Sequence, residues 1–276
     1  MEAEGARVDS FHLPEEMWAQ LEVLLPKPRA RKRKKGGRPR LDPRRVADGI
    51  FYILRTGMQW KALPREFGSG SSAHRYFQQW QKAGVFEQFW AIGLLHYDAR
   101  KTIRWRWQSM DGAMGKAPLG GKKTGPNPTD RAKKGTKRSV LVDGAGVPLG
   151  LAIDGANVHD KWLVEPTLAS IPIERPEPSA AEPQHLCLNK GYDYTDTRAL
   201  VALNGYIGHI KARGEEVTLK RSKRVKARRW VVERTHSWFN RFRRILIRWE
   251  KKPQNYLAML HLACAYLAYR LAGVLG

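Results

Sequence analysis

The sequence predicts an α/β protein in two parts: a small all-α domain over residues 1–100, and a larger domain over residues 101–276 in which helices cover a mixed sheet. Three observations predict it. Up to about residue 100 the apolar residues recur at helical spacing, whereas beyond it alternating and continuous apolar runs of strand length stand between helical stretches. With 276 residues, 42% of them hydrophobic, the chain is long enough for a small domain beside a larger one. Finally, 50 Lys and Arg against 26 Asp and Glu give a net charge of +24, far beyond what solubility requires. A polyanionic partner follows, although charge alone leaves ribosomes, membranes and DNA open.

The front reads as helices separated by strong punctuation. Pro14 opens an amphipathic run from Glu15 to Leu25 that Pro26 ends. Residues 27–45 form a basic arm with Asp42 as its single acid, and the Gly and Pro among them cannot pack a core. At its centre, Gly37-Arg38-Pro39-Arg40 resembles an AT-hook, whose extended Arg-Pro-Arg strip lies in a narrow minor groove; a solvated linker fits the same four residues. Asp42 as N-cap with Pro43 at the first helical position starts a helix through Arg55, closed by Gly57. A short helical turn from Trp60 to Phe67, a cap within Gly68 to Ser72 and a helix from Ala73 to Lys82 give the outline of a helix-turn-helix. Its second helix presents His74, Arg75, Gln78, Gln79 and Lys82, and Arg38, Arg40 and Arg44 stand in the adjacent arm. An ordinary helical hairpin around Tyr76, Phe77 and Trp80 is the other reading.

After a helix from Phe86 to Tyr97 the period changes. Thr102 to Asp111 alternates, with Trp105, Trp107 and Ser109 on one face and Arg104, Arg106 and Gln108 on the other, and reads as a strand. Lys137 to Val142 and Pro148 to Ile153 are two more, joined by Asp143-Gly144-Ala145-Gly146 as a hairpin turn. A helix from His159 to Ser170, a Pro-rich loop from Ile171 to Glu182 and a buried strand from His185 to Asn189 follow. Then come a helix from Thr195 to Leu203, a strand from Tyr206 to Lys211, a basic loop, a long helix from about Val225 to Trp249, and an apolar helix within Tyr256 to Leu275. That order of elements is the order of the ribonuclease H-like fold.

Other features narrow the classes. The final helix carries His261, Tyr266, Tyr269 and Arg270 and reads as a core helix rather than a membrane span. Cys187 and Cys264 lack metal-ligand spacing and read as buried thiols. Glu2 and Glu4, with no apolar run after them, argue against a secretory leader. Trp230, Trp238 and Trp249 read as core. In a ribonuclease H-like sheet the acidic ligands stand on the first strand, near the end of the fourth and on a later helix. Asp111 fits the first place and Glu233 the third. On spacing alone each is equally a solvated acid, and Arg229 an i,i+4 salt-bridge partner of Glu233.

Several motifs carry a family resemblance. They are Gly57-Met58-Gln59-Trp60-Lys61-Ala62-Leu63-Pro64, Met110-Asp111-Gly112-Ala113, Gly135-Thr136-Lys137-Arg138, Asp143 to Leu149, Ala156 to Asp160, Lys190-Gly191-Tyr192-Asp193 and Arg229 to Trp238. Spread in order along the chain, they resemble the DDE transposases of bacterial insertion sequences, in the branch called insertion sequence family five. The resemblance implies cleavage and transfer of DNA strands with two Mg2+ (or Mn2+) ions, held by Asp111, position 189 and Glu233. It further implies double-stranded DNA as partner (transposon ends and target), a homodimer on that DNA, no membrane, and a bacterial cytoplasmic, nucleoid-associated location. Helical spacing sets Arg229, His236 and Asn240 on the face of Glu233. With Arg234 and Arg241 they are the groups expected to touch the DNA phosphate, while Lys220 to Arg229 and Arg241 to Arg248 would track its backbone. One position departs from the family: the residue before Lys-Gly-Tyr is its second catalytic aspartate, and here it is Asn189. The spacing is kept, at 78 residues (189 − 111) and 44 residues (233 − 189), but the charge is not. The expected function is therefore an insertion-sequence transposase impaired by Asn189. The alternatives are a protein that holds transposon ends without cutting, and a stand-alone nuclease.

Overall fold

The computed structural model describes residues 11–27, 40–210 and 230–275. Most of the basic arm, Arg38 included, and the loop containing Arg229 lie outside them. The front comprises α1 (Glu15–Glu22), α2 (Pro43–Thr56), α3 (Gly70–Lys82) and α4 (Val85–Lys101). Asp42 caps α2 by accepting the Arg44 amide at 3.1 Å, and Gly57, left-handed at φ 73°, closes it, as the sequence predicts. Two 3-10 turns, Trp60–Ala62 and Arg65–Phe67, lead to α3, which begins earlier than expected because Ser69 accepts the Ser72 amide at 3.3 Å. Gly70 is required there: a Cβ would stand 1.6 Å from the Trp60 carbonyl oxygen.

The body is one mixed sheet of β1 (Trp107–Lys116), β2 (Gly125–Pro126), β3 (Lys134–Val142), β4 (Pro148–Gly155), β5 (Gln184–Leu188) and β6 (Tyr206–Ile210). The strands run in the order β4-β3-β1-β5-β6, with β2 extending the β4 edge of β3. β1, β3 and β4 form an antiparallel meander, and β5 and β6 join parallel. This is the ribonuclease H-like arrangement the order of elements predicts. β1 is displaced from its expected span. Residues 102–106 turn instead of extending, because the Asp98 carboxylate accepts the Ile103 amide at 2.7 Å and Asp143 accepts that of Arg104 at 3.1 Å. At the other end, residues 112–116 have little β-propensity, yet eight successive pairs with β3 carry the strand to Lys116.

The remaining helices are α5 (Val164–Leu168), α6 (Thr195–Leu203), α7 (Trp230–Phe239), α8 (Arg243–Leu246) and α9 (Pro253–Leu271). The long helix expected over residues 225–249 is broken among the described residues: α7 ends at Phe239, α8 starts at Arg243, and Ile247 bridges to Lys116 at the end of β1. The buried Arg138 fixes the break by donating to Asn240 Oδ1 at 2.6 Å and to the carbonyls of His236 and Ile245 at 3.5 Å. The helix expected from His159 to Ser170 shortens to a 3-10 turn, Asp160–Leu163, and α5. α7 covers the sheet over β1 and β3, α5 lies on β3 and β4 on the opposite face, and α6 packs on β6. α9 is the buried core helix expected and packs along α4, where Gly93 gives passage to Tyr269. Trp90 reaches the sheet, donating Nε1–H to the Pro148 carbonyl at 3.1 Å, and one continuous apolar cluster runs from Leu13 to Ala272. No described helix is long and apolar enough to cross a membrane.

Candidate catalytic pair and nucleic-acid interface

Strand pairing brings the first two candidate residues together. β1 and β5 are parallel with Ser109 opposite Cys187; Asn189 follows β5 at the same offset of 78 residues from Asp111, which puts the two on one face of the sheet. Asn189 Nδ2 donates to Asp111 Oδ1 at 2.8 Å. Its Oδ1 accepts the Gly191 amide at 2.6 Å, which tightens the 3-10 turn Lys190–Tyr192. Gly112 N–H donates to the same Asp111 oxygen at 2.9 Å. A Cβ at Gly112 would come within 2.4 Å of Asp160 Oδ1 on the opposite face, where Lys137 Nζ pairs with Asp160 at 3.0 Å.

The donor set does not fit a pair of divalent ions. Such ions take oxygen ligands. Asn189 Oδ1 accepts from Gly191 and points away from the aspartate, and the atom Asn189 turns to Asp111 is a donor. Exchanging O and N would set N–H against N–H at Gly191 and acceptor against acceptor at Asp111, so the hydrogen bonds fix the amide's orientation. A neutral N–H stands where a shared cation would touch the aspartate. Asp193 does not substitute for it, being held by Arg198 at 2.7 Å. Among the described residues no three His, Cys, Asp or Glu are grouped to hold a metal.

α7 completes the surroundings. Glu233 is exposed in its first turn, and His236 and Asn240 follow on the same face. His236 does not reach toward DNA as expected; it is 8% exposed and lies 3.3 Å from the Asp111 carbonyl. A carbonyl only accepts, so Nε2 carries the proton and Nδ1 is buried without a partner. Burial, reinforced by the cationic Arg138, pushes the His236 pKa down to about 3, so the ring is neutral. Asn240 is exposed but spends its carbonyl on Arg138. Arg234 lies over Trp230 and Trp238 and donates to the Ala145 carbonyl at 2.5 Å, whereas Arg241 is exposed. Trp230 and Trp249, expected in the core, are 50% and 38% exposed, and the Trp230 ring is covered by Arg234 instead of by apolar side chains alone. Sequence reasoning gave Arg138 and Lys137 no role, although a charged pair in an apolar strand is a signal that such side chains are held by partners.

In the front, Arg75 and Lys82 are exposed on α3 and Arg40 is exposed before α2. His74 is half-buried and lies against Trp60 with centroids 4.7 Å apart and the rings tilted by 33°, and its ring nitrogen lies 3.5 Å from the Gln78 amide. Burial lowers its pKa, with Arg244 and Lys252 adding to the effect. Arg44 is committed to the fold instead of an outside ligand: it bonds Asp48 at 3.1 Å, Glu15 at 2.5 Å and the Leu13 carbonyl at 2.8 Å, under Trp18. Cys187 and Cys264 are both buried and free, as expected.

Two family models match the chain. Residues 101–268 match the family described as "Transposase DDE domain", and residues 13–90 match "Putative transposase of IS4/5 family". The "Putative transposase for insertion sequence element IS402" of Burkholderia cepacia is 36% identical over 149 residues, covering 53% of this chain and 69% of the relative. An "Insertion element IS402 uncharacterized 16.2 kDa protein" of the same organism is 33% identical over 118 residues, 42% of this chain and 80% of the relative. Among solved structures, the catalytic domain of Mos1 mariner transposase aligns over 69% of this chain and 94% of its own, with 11% identity and a TM-score of 0.29. A pre-cleavage Mos1 transpososome aligns over 88% of this chain and 82% of its own, with 14% identity and a TM-score of 0.28.

Proposed function

The chain belongs to the DDE transposases of insertion sequences, and from that premise we propose that it binds the terminal inverted repeats of its element while Asn189 holds it short of efficient strand cleavage. One observation carries the second half: the 2.8 Å contact from Asn189 Nδ2 to Asp111 Oδ1. A carboxylate at 189 would face Asp111 across the same gap and would need a cation between them; the amide needs none. Asp111, position 189 and Glu233 are on this reading the three positions where the family's divalent metal chemistry would be done, and position 189 is the one that does not serve it.

The first part of the chain reads the repeats. Arg75, Gln78 and Lys82 on α3, with Arg40 and the arm beyond it, supply base-edge and phosphate contacts, and the basic body follows the duplex backbone. Coordinated work at two ends favours a homodimer on DNA. The net charge of +24 makes phosphate contacts the main part of affinity, so binding to duplex falls by about three to five decades between 50 and 200 mM salt if roughly six to ten phosphates are neutralised. A flat salt response would remove the DNA reading.

The functional test uses a labelled repeat end in Mg2+ with the natural chain, Asn189→Asp, and Asn189→Asp combined with Glu233→Gln. Metal stabilisation of a phosphoryl transition state is worth several kcal/mol, so the aspartate variant cuts about three decades or more faster than the other two. All three bind the repeat alike. Cutting by the natural chain at the rate of the aspartate variant would refute the assignment of Asn189.

A further inference from the structure

Beyond Asp111 the ladder of β1 and β3 runs to the edge of the sheet and ends in a tip, residues 117–133 with β2, to which no DNA contact has been assigned by residue so far. We propose that this tip is a preformed phosphate clamp for duplex DNA, gripping the backbone about six base pairs from the phosphate that Asp111 would face. It rests on the DNA-binding reading above and assigns a surface that reading leaves out.

The tip is built rather than loosely solvated. Arg248 is 1% exposed, deeply buried for an arginine, and spends its guanidinium on the arm's backbone. It donates to the carbonyls of Lys122 at 2.7 Å and Lys123 at 2.8 Å, to Thr136 Oγ1 at 3.1 Å, and to the Glu250 carbonyl at 2.9 Å. On the other side of the loop the buried Asn127 accepts the Thr129 amide at 3.0 Å with its side chain and the Ala132 amide at 3.0 Å with its carbonyl. Asn157 fills the space beside Gly125, where a Cβ would stand 1.6 Å from Asn157 Oδ1. A loop ordered in advance loses little conformational entropy when it binds.

What this scaffold displays is cationic. Lys122, Arg131, Lys133 and Lys134 are exposed, and none of them has a carboxylate within 4.0 Å among the described residues. The arm's two acidic neighbours are spent on other lysines, Asp130 on Lys116 at 3.8 Å and Asp154 on Lys123 at 3.9 Å. Four cations without a carboxylate partner on one ordered loop suit a polyanion with regular charge spacing.

Register supplies the distance. Asp111 pairs with Val140, and alternation along β3 places Lys134 on the same sheet face. The six residues from 140 to 134 span ~20 Å at about 3.3 Å each. Phosphates follow one another along a strand at about 3.4 Å of helix rise, so ~20 Å is about six base-pair steps.

The test compares the full chain with Lys122→Gln/Arg131→Gln/Lys133→Gln/Lys134→Gln on one repeat-end duplex, after confirming that both melt at the same temperature. In log affinity against log salt, the variant's slope becomes shallower by roughly 0.9 for each phosphate it no longer neutralises, two to four phosphates in all. Methylphosphonates placed five to seven steps from the end weaken the natural chain and leave the variant unchanged. An unaltered slope, or equal weakening of both proteins by the methylphosphonates, overturns the clamp while leaving DNA binding intact. Failure of the natural chain to bind duplex in a salt-dependent way overturns both.

Discussion

At the scale of single residues, the proposal of impaired cleavage rests on position 189, and the buried ring at position 236 bears on the response to pH. The family motifs were sufficient to place Asp111, Asn189 and Glu233 along the chain, because each lies in a short run that reads without a fold. The orientation of the Asn189 amide was not legible: it depends on the Gly191 amide in the turn that follows and on the neighbouring strand. His236 was read as a surface residue for the same reason, since helical spacing gives its face but not what covers that face. Burial carries a consequence that can be measured. His236, pushed down to about 3, and His261, pushed by burial to about 4, stay neutral in the folded protein while the unfolded chain protonates near pH 6.5. Both pKa values are depressed, so their contribution to stability is complete above about pH 6.5 and is lost as pH falls toward the folded values. Denaturant titrations from pH 7 to pH 5 should show unfolding free energy falling by up to about 1.4 kcal/mol per pH unit for each histidine. His236→Gln should flatten that slope; an unchanged slope would mean that His236 already titrates normally in the fold.

At the scale of elements, the sequence pattern located nearly every helix and strand and misplaced ends where tertiary contacts outweigh pattern. The Trp/Arg alternation of residues 104–107 imitates a strand, but the Asp98 and Asp143 carboxylates draw the backbone into a turn. The glycine-rich residues 112–116 imitate a loop, but β3 pairs with all of them. The break after α7 has no sequence signal of its own, because it is made by Arg138 from a strand about a hundred residues away. Gly112 leaves room beside β1 for the Asp160 carboxylate. Gly112→Ala should therefore cost about 1 to 3 kcal/mol through overpacking and displace Asp111 from Asn189. Thermal unfolding measures the first effect. A variant as stable as the natural chain would show that Asp160 can move aside freely.

At the scale of the whole molecule, the helical front and the sheet body differ in sequence character but join in one core. α9 comes last in the chain and lies along α4, and Arg244 ties the body to the front by donating to the Met58 carbonyl at 3.1 Å while pairing with the buried Glu250 at 2.6 Å. Arg244→Ala leaves that carboxylate buried and unpaired, a loss of about 3 to 5 kcal/mol, so the variant's unfolding midpoint should fall sharply. A midpoint within error of the natural chain's would show that the front–body joint does not depend on this pair. If the Asn189 amide occupies the place of a cation at Asp111, Mn2+ binding to the full chain on a repeat-end duplex, followed by titration calorimetry, reads it out. Asn189→Asp should bind the ion stoichiometrically, adding Asp111→Asn should abolish that binding, and the natural chain should bind none over the same concentrations. Equal binding by the natural chain and the aspartate variant, lost from both with Asp111→Asn, would contradict it.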